Sequence, residues 1–149
     1  MEKILVAVDG SLSSVFAVDF AADLALKLDA ELVIFTVASD RAPAEAEAFA
    51  RMEHLATSAG DITKVCAEGV LERAEQQARK RRGLRISSHW RFTGDAATEI
   101  AGYARNELCD LIVVGHRDRG IAAQVILGSV ARRLLEIAPC PVTIVPEKP

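Results

Sequence analysis

Residues 110–115 of the chain read DLIVVG, a run that is apolar from Leu111 onward and ends at a glycine. A similar run, KILVAV, occupies residues 3–8 and breaks at residues 9–11, which read DGS. A strand that is apolar on both faces is typical of the centre of a parallel sheet, where helices cover both sides. The two runs therefore predict central parallel strands that end at Asp9 and Gly115.

Strand-like and helix-like segments alternate along the rest of the chain. Further strands are predicted over residues 31–37, 84–92 and 142–145. Helices are predicted to start at Ser11 or Ser13, to span residues 44–58 and 63–82 with an interruption near Gly60-Asp61, and to start again at Gly94-Asp95 and Gly128-Ser129. The alternation predicts an α/β fold with a doubly wound, Rossmann-like sheet of five parallel strands. The third strand alternates apolar and polar residues, which indicates an edge position.

Three predicted helices carry apolar residues at helical spacing. The first has Phe16, Phe20, Leu24 and Leu28, the helix after Asp95 has Ile100, Ala101, Ala104 and Leu108, and the last has Val130, Leu134, Leu135 and Ile137. Because residues three or four positions apart share one face of a helix, we expect each set to pack inward.

Length and composition limit the class of protein. The chain has 149 residues, 50% hydrophobic and 26% charged, which is typical of one globular domain over residues 1–149. No apolar run approaches the roughly 20 residues of a membrane helix and no leader precedes the first strand, so we expect a cytoplasmic protein without a membrane partner. The net charge of −3 argues against nucleic acid as a partner.

Two groups of residues have simple structural explanations. The three cysteines, at positions 66, 109 and 140, lack the paired spacing of a zinc site, and we expect buried, reduced thiols. A basic cluster follows a predicted helix, where cations stabilise the helix dipole. It consists of Arg79, Lys80, Arg81, Arg82 and Arg85. Whether this cluster also contacts a partner stays open.

The segment from Gly115 to Ser129 is the candidate ligand site. It links the carboxyl end of a strand to the amino end of a helix, whose unpaired N–H groups favour an anion. Glycine at 115 and 128 leaves room for a phosphate, Ser129 offers a hydroxyl, and Arg117 or Arg119 offers charge. The alternative is that Gly115 serves a tight turn and Gly128 a close helix packing, with no ligand.

This segment resembles the nucleotide-binding signature of the universal stress proteins, in which a glycine, two residues, a glycine and nine residues precede a glycine and a serine or threonine. Gly115, Gly128 and Ser129 stand in register, whereas Asp118 replaces the second glycine. Residues 4–11, 110–115 and 138–142 also agree with the family, so the resemblance covers almost the whole chain.

The resemblance implies a five-stranded, adenine-nucleotide-hydrolase-like fold that holds ATP between the ends of strands one and four, with Mg²⁺ as an optional bridging ion. The implied nucleotide-binding residues are Asp9, Gly10, Ser11, Val37, Val114, Gly115, Arg117, Asp118, Gly128, Ser129 and Val130. The last strand of family members commonly pairs with its copy in a homodimer. The implied interface residues are Val142, Ile144 and Val145. A carboxylate at Asp118 opposes phosphate binding, and Gly120 would restore only some flexibility.

Three functions follow from this resemblance. The first is an ATP-binding regulatory homodimer of the stress response without a catalytic centre. The second is a dimeric interaction protein with a vestigial pocket, and the third is a slow ATPase or autophosphorylating protein, for which no general base is evident. Asp9 as an aspartyl nucleophile would require a second aspartate where Ser11 stands. His116 is a further candidate base, although a loop histidine is more often solvent-facing.

Overall fold

The computed structural model describes residues 1–38, 59–92, 95–116 and 128–147. The predicted helix over residues 44–58 lies outside these ranges, as do Gly94, Arg117, Asp118, Arg119 and Gly120. None of the helices within the ranges has the length and hydropathy to cross a membrane.

Five parallel strands form one sheet. They are β1 (Lys3–Ala7), β2 (Glu31–Ala38), β3 (Ile86–Phe92), β4 (Leu111–Gly115) and β5 (Val142–Val145), in the order β3-β2-β1-β4-β5. The helices are α1 (Leu12–Leu28), α2 (Ala59–Ala78), α3 (Ala96–Asn106) and α4 (Ser129–Ile137). The parallel α/β sheet and the edge position of β3 are confirmed.

The strand sequences explain why helices cover both faces of the sheet. Ile4, Leu5 and Val6 are all fully buried, so neither face of β1 meets water. In the register, Leu5 pairs with Val33 of β2 and Ile112 of β4. One face packs against α1 and α2, and the other against α3 and α4. The two-sided apolar runs therefore require this layered arrangement.

The predicted buried stripe of α1 is only partly right, because Phe16 and Leu24 pack against the core but Phe20 and Leu28 do not. Phe20 and Leu28 are 41% and 45% exposed, and Phe16 and Leu24 are half-buried. The buried face instead carries small side chains, namely Ser13, Ser14, Ala17, Val18, Ala21, Ala22 and Ala25. Small side chains let the helix backbone approach the sheet closely, and this close packing outweighs the burial of larger residues.

Other boundaries and faces also differ from the predictions. Leu108 is 81% exposed because α3 ends before it, and Leu135 is 55% exposed on the outer side of α4. Helix α2 runs through Gly60-Asp61 without interruption and ends at Ala78 instead of Arg82. By contrast, the helix caps at Ser11 and Asp95 are confirmed, since each side chain accepts a hydrogen bond from the first turn.

The cysteines are all free thiols, but only one is buried as expected. Cys109 is buried, and desolvation raises its pKa to about 11. Cys66 and Cys140 are only half-buried.

Within the basic cluster, Arg81 joins α1 to the end of α2. Arg81 donates to Oδ1 of Asp19 and of Asp23, each at 2.8 Å, and to the Gln77 carbonyl at 3.2 Å. The Asp23 hydrogen bond is the main factor that raises the pKa of Arg81. The contact with a terminal carbonyl agrees with the expected helix-end role, whereas the pairing across helices was not predicted.

Asp110 fastens the start of β1, and this contact makes stability depend on pH. Its Oδ2 accepts the N–H groups of Glu2 at 2.7 Å and Lys3 at 2.9 Å, which lowers the pKa of the carboxyl. A lowered folded-state pKa gives stability above the unfolded-state pKa of about 3.9, and this stability is lost as the pH falls through the folded value. Between about pH 6 and 2, we expect wild type to lose up to ~1 kcal/mol more unfolding free energy than Asp110→Asn.

Urea unfolding at each pH measures this difference. Glu72→Gln is the matched control because it removes a carboxylate from an exposed position on α2. Its pH profile should follow that of wild type. A wild-type-like profile for Asp110→Asn would show that the two backbone bonds contribute nothing to acid sensitivity.

Candidate functional site

A cleft opens where the direction of winding reverses. Strands β1 and β4 are neighbours, and their carboxyl ends diverge toward helices on opposite faces. Open α/β sheets bind ligands at such a point. The cleft here has a cavity volume of about 120 Å³.

The turn from β1 into α1 forms one wall and is held by its own hydrogen bonds. Asp9 Oδ1 accepts from the Ser11 N–H at 2.9 Å and the Ser14 hydroxyl at 2.7 Å. The Ser14 hydroxyl oxygen in turn accepts the Asp9 N–H at 3.0 Å. Gly10 permits this turn because its φ is +83°. The Asp9 carboxylate therefore has a fixed structural role, which weakens its interpretation as a nucleophile.

The amino end of α4 forms the polar part of the opposite wall. Gly128 is the N-cap and has no side chain to bond the first-turn N–H groups, and no other described residue caps them through a side chain. The first intrahelical bond at this end is from the Arg132 N–H to the Gly128 carbonyl, at 3.0 Å. Together with the helix dipole, these groups form a surface that suits a phosphate or another anion.

Apolar side chains complete the cleft between the two walls. Phe35 and Val37 come from β2, Val114 from β4, and Ala96 and Ile100 from the start of α3. Asp95, next to Ala96, caps α3, and its pKa is lowered by hydrogen bonds from the Thr98 side chain and backbone. An apolar slot beside a helix amino end suits a ligand with an apolar part and an anionic part.

The structure brings most of the predicted nucleotide residues together. The cleft is lined by Asp9, Ser11, Val37, Val114, Gly115, Gly128, Ser129 and Val130. Gly10 instead faces a second cleft on the far side of the β1–α1 turn. Arg117 and Asp118 lie outside the described residues.

Gly115 is explained by close packing. A Cβ at this position would lie 2.6 Å from the Ser13 carbonyl oxygen and 2.8 Å from the Ser13 Cβ. Its backbone conformation is not in the positive-φ region that favours glycine. The sequence left open a tight turn or a phosphate contact, and the structural reason is the approach of α1 to the end of β4.

His116 is buried, so the expected solvent-facing position is wrong. Its side chain is enclosed near β5, with 6% exposure, and Nε2 has no hydrogen-bond partner among the described residues. Its backbone donates to the Val145 carbonyl at 2.7 Å and accepts from the Ser13 hydroxyl at 2.8 Å. Since His116 does not line the cleft, the geometry gives no support for a role as base there.

Several lining residues escaped the sequence analysis. Phe35 was detectable, because it lies two positions before Val37 on the same strand and so points to the same face. Ala96 and Ile100 carry no motif, and only the placement of α3 over β2 brings them to the cleft.

Edge strand β5 contains the predicted interface residues. Val142 and Ile144 are half-buried on the α3–α4 face, and Val145 is buried in the core under α1. Among the described residues, β5 pairs with β4 and has no strand partner on its second edge.

Comparison with known proteins gives a consistent family match. A model described as the universal stress protein family matches residues 1–146. Universal stress protein YxiE of Bacillus subtilis (strain 168) is 32% identical over 146 residues, which cover 96% of this chain and 97% of the relative.

Two solved structures with the same fold hold nucleotides. The universal stress protein from Archaeoglobus fulgidus in complex with dAMP is 23% identical, with a TM-score of 0.70, over 97% of this chain and 98% of that chain. A universal stress protein family protein from Arabidopsis thaliana with AMP bound is 21% identical, with a TM-score of 0.71, over 99% of this chain and 93% of that chain. These likenesses establish the common fold.

Proposed function

This chain belongs to the universal stress protein family, and we propose that it is a regulatory protein that binds ATP in the cleft between β1 and β4. The single observation that carries the proposal is that apolar walls and the open amino end of α4 meet at the switch point of the sheet. The nucleotide-bound relatives make an adenine nucleotide the natural ligand to test.

The lining residues suit the parts of ATP in different ways. Val37 and Val114 provide apolar contacts for adenine and ribose beside the Asp9 turn. Ser129 and the first N–H groups of α4 would hold the phosphates, with Gly128 leaving the approach open. Mg²⁺ would be held mainly by the phosphates, since the described residues contain no group of three His, Cys, Asp or Glu side chains that could hold it without them.

The proposed output is a nucleotide-dependent change in conformation or partner binding in the cytoplasm during stress. The β5 edge, with Val142, Ile144 and Val145, would pair with its copy to form a homodimer. Sedimentation velocity with and without ATP measures the mass, and a monomer under both conditions would remove the dimer from the proposal. Slow ATP hydrolysis is less favoured, because the described cleft offers no evident general base.

One specific observation favours a vestigial pocket as the second candidate. Asp118 stands where the family signature has glycine, and its charge would repel phosphate by about 1 kcal/mol at 4 Å in water and more in a shielded site. In that case the protein would act as a dimeric interaction protein without nucleotide. Asp118→Gly would then create or strengthen ATP binding.

Calorimetric titration with ATP, with and without magnesium, tests the proposal. We expect micromolar binding by wild type and about tenfold weaker binding by Ser129→Ala, since a hydrogen bond to a charged group contributes ~1.5–3 kcal/mol. Val37→Trp should abolish binding because the indole fills the apolar slot. Leu135→Trp is the matched control, since this α4 residue is 55% exposed and does not line the cleft.

The outcomes separate the two candidates. Binding by Asp118→Gly alone would establish the vestigial pocket. Absence of binding by both wild type and Asp118→Gly would overturn the nucleotide proposal. If Val37→Trp and Leu135→Trp lost ATP affinity equally, the loss could not be assigned to filling of the cleft.

A further inference from the structure

A second cleft lies between α1 and α2, on the opposite side of the β1–α1 turn from the first. Its cavity volume is about 400 Å³. Its apolar floor is formed by Val15 and Val18 of α1 and by Val70 and Ala74 of α2. This floor is wide enough for the body of a small apolar ligand, and the universal stress protein signature contributes none of these residues.

The rim of the second cleft carries positive charge without a matching negative charge. Arg73 and Lys80 line it, and none of its described lining residues is acidic. Within the described ranges, neither of these cations forms an ion pair or a hydrogen bond, whereas Lys64, Arg79 and Arg81 on and after the same helix all do. The rim therefore favours an anionic group.

The nearby carboxylates do not cancel this charge. Asp19 accepts from Gln77 Nε2 at 2.7 Å and from Arg81 at 2.8 Å. Asp23 accepts from Arg81 at 2.8 Å. Arg81 and Gln77 therefore hold both carboxylates at the end of α2.

Arg73 and Lys80 both lie on the rim of this cleft. Arg73 is on α2, and Lys80 follows two residues after the helix ends at Ala78. At one end, Arg73 Nη2 lies 3.6 Å from the position that a Cβ on Gly10 would occupy, so the guanidinium reaches over the β1–α1 turn. A head group between the cations would leave the apolar body of its molecule on the floor.

We propose that the cleft between α1 and α2 is a second binding site, for an amphipathic carboxylate whose head group pairs with Arg73 and Lys80 and whose apolar body packs on Val15, Val18 and Val70. This proposal is independent of ATP binding. The two clefts lie on opposite sides of a common wall formed by Val8, Ser11 and Ser14. A ligand in one cleft therefore does not occupy the other.

Calorimetric titration of the full chain with decanoate tests the second site. We expect saturable binding of one decanoate per chain, at least tenfold weaker binding of the uncharged analogue decanol, and at least tenfold weaker decanoate binding by the double variant Arg73→Gln/Lys80→Gln. Both replaced side chains are exposed, so the fold should persist, and the melting temperature checks this. Lys64→Gln/Arg79→Gln is the matched control, since it removes the same charge from exposed positions that do not line the cleft.

Three results would overturn the proposal. One is the absence of saturable decanoate binding, and another is an equal loss of affinity in the control double variant. The third is displacement of decanoate by ATP, which would place decanoate in the first cleft. Failure of ATP to bind, with decanoate binding retained and sensitive to Arg73 and Lys80, would overturn the nucleotide proposal alone.

Discussion

Replacing Gly115 with alanine is expected to lower the free energy of unfolding by about 3 kcal/mol, because the new methyl group has no space. Its carbon would lie 2.6 Å from the Ser13 carbonyl oxygen and 2.7 Å from the Ser13 carbonyl carbon. These are backbone atoms in the first turn of α1, so a side-chain rotation cannot relieve the overlap. Either β4 or α1 must move, and both belong to the core. Urea unfolding gives the change as a shift of the midpoint at constant slope.

Gly69→Ala is the matched control for Gly115→Ala and should have the opposite sign. Gly69 lies within α2, and a Cβ there would meet nothing within 4 Å. Alanine has a higher helix propensity than glycine, so the free energy of unfolding of this variant should rise by about 0.5–1 kcal/mol. If Gly115→Ala lowered the free energy of unfolding by less than ~1 kcal/mol, α1 would have to shift easily against β4, contrary to the close packing described above.

Replacing Phe35 with alanine should be the more damaging of the two changes, with a loss of about 3–5 kcal/mol of unfolding free energy. The Phe35 side chain is fully buried in the core between the sheet and α3. Its ring centroid lies 4.7 Å from that of Tyr103 at a tilt of 39°, so the change also removes an aromatic contact. The cavity left behind would extend the floor of the first cleft, which Phe35 lines.

Phe92→Ala removes the same number of atoms from the surface and serves as the control. Phe92 is 54% exposed at the end of edge strand β3. We expect Phe92→Ala to lower the free energy of unfolding by less than about 1 kcal/mol. Similar midpoints for the two variants in urea would contradict the view that the α3 side of the sheet is closely packed around Phe35.

The sequence alone predicted the sheet and the place of the candidate site. The runs KILVAV and DLIVVG are apolar at successive positions, and such strands are stable only where both faces are covered. Together with the alternation of strands and helices, this requirement predicted a parallel sheet with a crevice between β1 and β4. Caps at Ser11 and Asp95 were also readable, because a cap depends on residues within one helical turn.

The tertiary structure decided which residues touch across long sequence separations. Ser13 and His116 are 103 positions apart, yet the Ser13 hydroxyl bonds the His116 carbonyl, and the same approach of α1 to the end of β4 requires glycine at 115. The buried face of α1 was misjudged because helical spacing marks the large residues, whereas the distance from helix to sheet selected the small ones. The second cleft with Arg73 and Lys80 likewise exists only because α2 lies beside α1. Local patterns specify strands, caps and the order of elements, while close packing between distant segments decides which side chains are left free to bind.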